Sequence, residues 1–548
     1  MTENFKISIA WLALNIFFLF LFYITQGNKP LIQGEIVTGT LSNHPNIVTE
    51  YKNYIDVIPL SYIKKEILFG FKRSFYEPML SFYFGNYRIP LMYQQREGGF
   101  FYILEKFSSD VFGPLKGITI LQFIFSSFII LIFGFLLLKL DGLTLSYIGM
   151  FLISFDAIQI CAHFYTAISI LPSKFMLLLG TAFLSRKTRF SALISGIFIA
   201  FSFYLRVSAL WHFIFLIILF YNKRNIILIT SFLTGFIPVF LIHISFINWN
   251  IFFHEISQSS LFRYPFVDLY NIIANKNILL SFLSNSSYLE MEKGNSLKLF
   301  QINPLGLISI LCFLSPIFIN HFIKTNIFNK KFYLSMYSGL IIFFLFMWIT
   351  TKGEEIHSRY LMEANWFIIL ILSFIYKDLL IFFQKKFNPV KSHILVFFII
   401  GLPHILQTTS WITDLNKKGF VLQSDARFLK EITKDFLKTE SDFLYTVQFN
   451  DIGTFEYLTS EKITPYHFYY SITNSKKDIH DSIVDIATSR KKGTFLISID
   501  TIPDFTAFKI NIEYLKSLLK INNIVITKEK LYSKNGKPGF WTFSFKKI

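Results

Sequence analysis

The stretch GITILQFIFSSFIILIFGFLLL, residues 117–138, runs for 22 positions without a charged side chain. As a helix rising 1.5 Å per residue it is about 33 Å long, enough to cross the roughly 30 Å hydrocarbon layer of a bilayer. A soluble core helix has no need of such a run. Working outward, further apolar blocks fall at about 7–24, 143–163, 166–184, 190–206, 208–220, 225–246, 303–322, 332–350, 366–383 and 392–409. If each crosses once, the chain has about 11 transmembrane helices. The first block follows only the short head MTENFK and no small-x-small cleavage site comes after it, so it reads as a retained signal anchor. Composition agrees: 53% of residues are hydrophobic, Phe alone occurs 69 times, and only 16% are charged, against roughly 25% in an average soluble domain.

Charge placement gives the orientation. There are 53 Lys and Arg against 35 Asp and Glu, a net +18. In a soluble protein that excess would suggest nucleic acid. Here it gathers in short loops between apolar blocks: Arg186-Lys187-Thr188-Arg189, Tyr221-Asn222-Lys223-Arg224, Lys324 to Lys331, and Gln384-Lys385-Lys386 with Lys391. With a cytoplasmic N-terminus all of these loops fall on the cytoplasmic side, as the positive-inside rule requires. The charge is therefore assigned to topology and to anionic membrane lipids, with no nucleic-acid partner. Three long segments, 25–116, 247–302 and everything after about 410, are left on the other face. Asp156, His163 and Pro172 interrupt the 143–184 region and mark it as the place for a broken or re-entrant pair. Cys161 and Cys312 both fall inside apolar blocks, so neither a disulfide framework nor a Cys/His metal spacing is present.

From about residue 420 the pattern changes to short alternating elements. DARFLKEITKDFL, 425–437, is helix-like; FLYTVQF, 443–449, and TFLISID, 494–500, are strand-like. Helices follow near 477–489 and 509–520, and NIVITKEKLYS and GFWTFSFKK close the chain as strands. The expected fold is thus mainly α: a polytopic membrane helical bundle, residues 1–410, with a small extracytoplasmic α/β domain, residues 411–548. That domain holds neither a glycine-rich phosphate loop nor a nucleophile elbow.

Ionisable groups at membrane depth are costly and mark candidate sites. Arg206, in SFYLRVSALW, stands at the outer end of the 190–206 block. Its planar fork suits a phosphate headgroup, although an interfacial arginine that snorkels to water accounts for it equally. The outer loop TKGEEIHSRYLMEAN, 351–365, packs Lys352, Glu354, Glu355, His357, Arg359 and Glu363 just before a span. A cation at a helix N-terminus makes an anion site, and a solvated loop of mixed charge is the plainer alternative. A general base for a hydroxyl must be a carboxylate or His within hydrogen-bond reach. The first outer loop is the richest source, with Glu35, Glu50, Asp56, Glu66, Glu77, Glu97, Glu105 and Asp110.

The arrangement resembles the GT-C superfamily of polytopic glycosyltransferases, which includes the protein O-mannosyltransferases and the aminoarabinose transferase of lipid A. The likeness lies in a long first extracytoplasmic loop after a single helix, many spans, and a soluble C-terminal domain on the same face. Two stretches carry it locally. FGNYRIPLMYQQREGGFFYILEKFSSDVFG, 84–113, is similar to the family's loop segment of a Pro-Leu pair, a Gly-containing stretch, an aromatic helix and a Phe-Gly before the second span. HSRYLMEANWFIILIL, 357–372, is similar to its Arg-Tyr-Leu run entering a late helix. The resemblance implies a polyprenyl-phosphate sugar donor entering from the bilayer and an extracytoplasmic acceptor activated by a first-loop acid. The leaving phosphate would be held by Arg359 or Arg206, with His357 and Tyr360 beside them. The family's acidic pair after the first helix is absent. Gly34-Glu35 stands near that distance, and His44-Pro45-Asn46 resembles a His-Pro-Asp variant with Asn in the acid's place. Glu35 and then Asp56 rank first as base.

The residues establish no cofactor, and a divalent metal stays open. A lipid-linked-sugar transporter or flippase, or a non-catalytic scaffold, would also suit a basic bundle. Against the first stand the lopsided loops and the lack of internal symmetry. The abundance of Phe, Ile, Lys and Asn is that of an AT-rich bacterial genome, which points to a bacterial inner membrane.

Overall fold

In the computed structural model of the chain, the apolar run at 117–138 lies within a single 28-residue helix, Pro114–Asp141. The structure describes residues 2–25, 80–84, 87–94, 97–98, 114–156, 170–206, 226–247, 304–319, 330–351, 358–418, 444–446, 466–467, 479–490, 492–498, 511–534 and 537–548, with single positions at 100, 104, 107, 108, 111, 112, 159, 209, 432 and 435. Two compact units are present: Met1–Asn28 with Leu91–Phe101 and Thr119–Gly419, and Lys29–Pro90 with Tyr102–Ile118 and Phe420–Ile548.

The first unit is built from α1 (Glu3–Thr25), strands β2 (Tyr87–Gln94) and β3 (Glu97–Gly98), which follow β1 (Leu80–Phe84), and then the helices α2 (Pro114–Asp141), α3 (Leu143–Ser154), α4 (Ile170–Leu184), α5 (Arg189–Leu205), α6 (Ile226–Phe246), α7 (Pro304–Phe318), α8 (Lys330–Thr351), α9 (Ser358–Gln384), α10 (Pro389–Val396) and α11 (Leu402–Lys418). Among the described residues four helical stretches are long and apolar enough to cross a membrane: Ile120–Asp141, Ile227–Phe246, Asn365–Gln384 and Pro389–Ser410. Leu143–Ser154, Ile170–Leu184, Arg189–Leu205, Pro304–Phe318 and Phe332–Ile342 are apolar but shorter. The chain is an integral membrane protein.

The shortfall in α3 has a visible cause. The block expected to run through 143–163 stops as a helix at Ser154, and the Asp156 carboxylate accepts the backbone N–H of Gln159 at 2.8 Å. That is a side-chain-to-backbone bond of the kind by which a short polar side chain offers the backbone an alternative to continuing a helix. The block at 208–220 lies outside the described residues apart from Ala209.

Helix contacts follow small residues. α5 and α6 cross where a Cβ on Gly196 would stand 2.2 Å from the Phe232 carbonyl oxygen, and one on Gly235 would stand 2.1 Å from that of Leu193. Only glycine lets two backbones approach so closely, and in lipid such packing replaces the hydrophobic drive between helices. α1 is tied to α2 by Trp11 Nε1, which donates to the Ser127 carbonyl at 2.9 Å. Along α9, Lys377 pairs with Asp141 of α2, and Tyr333 of α8 donates to Asp378 at 2.7 Å. Between α10 and α11 the turn Phe397–Gly401 is π-helical, one residue wider than the helix on either side.

The second unit has a five-stranded sheet in the order β5 (Tyr466–His467), β4 (Leu444–Thr446), β6 (Lys492–Ser498), β8 (Lys537–Lys547), β7 (Ile524–Lys534). β4 is parallel to β5 and β6, while β8 runs antiparallel to β6 and β7. Trp541, Phe543 and Phe545, two apart on β8, pack with Phe495 and with Ile483, Ala487, Leu515 and Leu519 of helices α12 (Ile479–Arg490) and α13 (Ile512–Ile521). This is the period of two that buries one face of a strand. Burial, aided by its hydrogen bond to Asp435, pushes the Tyr532 hydroxyl up to about 12, so it remains a donor at physiological pH. Asn511 caps α13, accepting from Tyr514 N–H at 3.1 Å. Asn511→Ala is expected to cost about 1 kcal/mol, seen as faster amide exchange across Ile512–Ile521; unchanged exchange would show that the cap does not hold this helix.

Candidate functional site

A chain of polar side chains runs through the apolar first unit. Lys174, on α4, is 1% exposed, Asn365, on α9, is 1% exposed, and Asp156, just past α3, is 5% exposed. Lys174 Nζ donates to Gln159 Oε1 at 2.7 Å and, more closely, to Asn365 Oδ1. Asn365 Nδ2 then donates to Asp156 Oδ1 at 2.7 Å, and the Gln159 side chain reaches Ser126 Oγ of α2 at 2.5 Å. His404 and Thr408 of α11 join the end of α3, His404 Nε2 lying 2.9 Å from the Leu152 carbonyl oxygen and Thr408 donating to that of Phe155.

The electrostatics are unusual. An ammonium and a carboxylate are both buried, and the described bonds join them through two intermediaries. Asn365 accepts from the cation and donates to the anion through its amide, and Gln159 does so with its side-chain oxygen and backbone N–H. Each buried ion carries a desolvation penalty of several kcal/mol, which good geometry and filled hydrogen bonds must offset. Aligned amide dipoles in a low dielectric supply that.

Arg206 stands at the same end of the bundle. It is 9% exposed and caps the C-terminus of α5 in an extended conformation, its N–H donating to the Ser202 carbonyl at 2.9 Å. Ser202 in turn donates to the carbonyl of Ser173 at 2.8 Å, one residue before Lys174. Tyr204 packs against the β3 end of the first loop, where a Cβ on Gly98 would meet its ring at 2.6 Å. Arg359 and Tyr360 lie in the first turn of α9, and nothing of their side chains is described; His357, Glu35 and Asp56 lie outside the described residues. Among the described residues no group of three His, Cys, Asp or Glu side chains is placed to hold a metal ion.

The comparison with known proteins begins from this geometry. No family model matches the chain, and no curated protein matches it by sequence. Among solved structures, apo ArnT from Cupriavidus metallidurans superposes with a TM-score of 0.53 at 10% identity, covering 98% of each chain. The chain resembles ArnT in fold. ArnT, an aminoarabinose transferase, is a GT-C glycosyltransferase, and the likeness to it is one of fold, over 98% of this chain. A second ArnT structure, bound to undecaprenyl phosphate, gives a TM-score of 0.52 at 10% identity, with 98% of this chain and 97% of that one covered.

Within the ArnT-like bundle, Arg206 was readable because an arginine at the end of an apolar block stands out. Lys174 lies just as plainly in ILPSKFMLLLG and has the stronger claim by membrane cost, yet the reading passed over it. Asp156 was noticed only as a break in an apolar block. Asn365 and Gln159 carry no charge and gain their role only from what faces them.

Proposed function

We propose that the chain is a GT-C-type membrane glycosyltransferase that moves a sugar from a polyprenyl-phosphate donor to an extracytoplasmic acceptor. The observation that carries this reading is the end-to-end likeness in fold to ArnT, which has been seen with undecaprenyl phosphate bound. In this reading residues 1–410 form a membrane domain of about eleven spans with a cytoplasmic N-terminus, and 411–548 form an extracytoplasmic domain, in a bacterial inner membrane. The acceptor oxygen attacks the sugar's anomeric carbon as the bond to the phosphate oxygen breaks. The electron pair leaves with the phosphate, and the acceptor's proton passes to a first-loop carboxylate, Glu35 or Asp56. A phosphate already leaves well, so cations rather than an acid are wanted on that side: Arg359 and Arg206, with His357 and Tyr360, steady its charge.

Radiolabelled polyprenyl-phosphate sugar offered to the purified protein tests this. Transfer to an acceptor supports the enzyme, whereas movement across vesicles without transfer would establish a flippase instead, and neither result would leave a scaffold. At normal expression, at least one of Glu35→Gln and Asp56→Asn is expected to lose about 10²-fold or more of the transfer rate, the scale of a lost general base. Full activity in both would reject these two acids.

A further inference from the structure

Among the described residues Lys174 and Arg206 are the buried Lys and Arg side chains, and Lys174 is the deeper. Nothing in the proposed chemistry uses it. Its partners explain its place better than a ligand would. Asn365 accepts from Lys174 and donates to Asp156 with opposite ends of one amide, and Gln159 secures both ions from the other side. An amide used in both directions is sensitive to register. Sliding α9 by one residue moves it 1.5 Å and turns it by about 100°. Both bonds would then be lost, leaving two buried ions without the amide that joins them. Trp366 and Phe367, the next residues on α9, are fully buried, so the helix is gripped by packing at the same level. Arg359 lies six residues earlier, about 9 Å up the same helix.

We infer that the Asp156–Asn365–Lys174 relay is a positioning clamp, setting the depth and rotation of the helix whose first turn carries Arg359 and Tyr360. The inference rests on the glycosyltransferase reading for its consequence, which is that the clamp aims this turn at the donor phosphate. Lys174, Asp156 and Asn365 are positioning residues and do not touch the substrate. The donor phosphodiester carries one negative charge and gains a second as the electron pair leaves with it, so its grip strengthens in the transition state and is read in kcat/KM.

The test uses the full-length purified protein as wild type, as Asn365→Ala, and as the double variant Lys174→Met with Asp156→Asn. The double variant removes both ions together, so no buried charge is left without its counterpart and the protein stays folded. Two quantities are read: amide exchange of residues 358–364 without ligand, and KM and kcat for a polyprenyl-phosphate sugar. The expected result is exchange about 10-fold faster in 358–364 with α5 and α6 unaltered, and a donor kcat/KM lowered about 10-fold or more, the scale of a slightly misplaced contact. Unaltered exchange in both variants overturns the clamp. Faster exchange with an unaltered donor kcat/KM also overturns it, reducing the relay to a structural tie. If the wild type transfers nothing while the variants exchange faster, the glycosyltransferase reading fails and the register claim survives.

Discussion

Asp156→Leu is expected to destabilise the protein by about 3–5 kcal/mol, the cost of removing one partner from a buried ion pair. The substitution suits an apolar surrounding in itself. Its damage falls on what remains: Lys174, 1% exposed, loses the carboxylate that stands behind the amides of Asn365 and Gln159, and Asn365 Nδ2 loses its acceptor. Adding Lys174→Met to Asp156→Leu should then recover most of the loss, because two apolar side chains no longer demand compensation. Denaturation of the detergent-purified protein, followed for both single variants and the pair, measures the coupling. A double variant no more stable than Asp156→Leu would mean that the two residues are not joined energetically through Asn365.

Gly235→Leu is expected to cost about 3 kcal/mol or more, the upper end of overpacking penalties. The obstruction is at the first carbon: a Cβ at Gly235 would stand 2.1 Å from the Leu193 carbonyl oxygen, and one at Gly196 would stand 2.2 Å from that of Phe232. A flexible side chain could swing away, but these are backbone atoms of helices, so α5 and α6 must move apart. Their separation reaches Arg206, which closes α5. Loss of monodisperse protein on solubilisation, or a lower melting temperature, is the readout. A Gly235→Leu protein as stable as wild type would show that the two helices do not approach as described.

How much of this was legible follows from what each residue needs. The spanning helices declare themselves because lipid leaves a backbone few other options, and a run such as 117–138 serves no other purpose. The strands of the C-terminal unit were readable from alternation: Trp541, Phe543 and Phe545 fall two apart and are buried together. β5, only two residues long, carries no such pattern. The break after α3 was signalled by Asp156, yet its purpose was not, since a capping carboxylate and a counter-ion look alike until their partners are in place. Lys174 vanished into a hydropathy average over ILPSKFMLLLG. Asn365 lies in the run HSRYLMEANW, where Arg359 is the residue whose charge sets it apart. Amides acquire meaning from geometry across 191 positions of sequence, the separation of Lys174 and Asn365, and no local pattern encodes that.

The π-helical turn at Phe397–Gly401 bears on how this membrane segment tolerates change in length. It absorbs one extra residue, so that 389–396 and 402–418 continue as one rod. Deleting a single residue there would let regular α-helical bonding close up, at little local expense. Everything downstream would keep its facing, because a turn closed over five residues and one closed over four bring the same residue back over the start, and His404 and Thr408 would stay with the carbonyls of Leu152 and Phe155. Lineages descended from this chain should therefore be able to shed the extra residue here, where a deletion elsewhere in the same helix would turn its far end by about 100°.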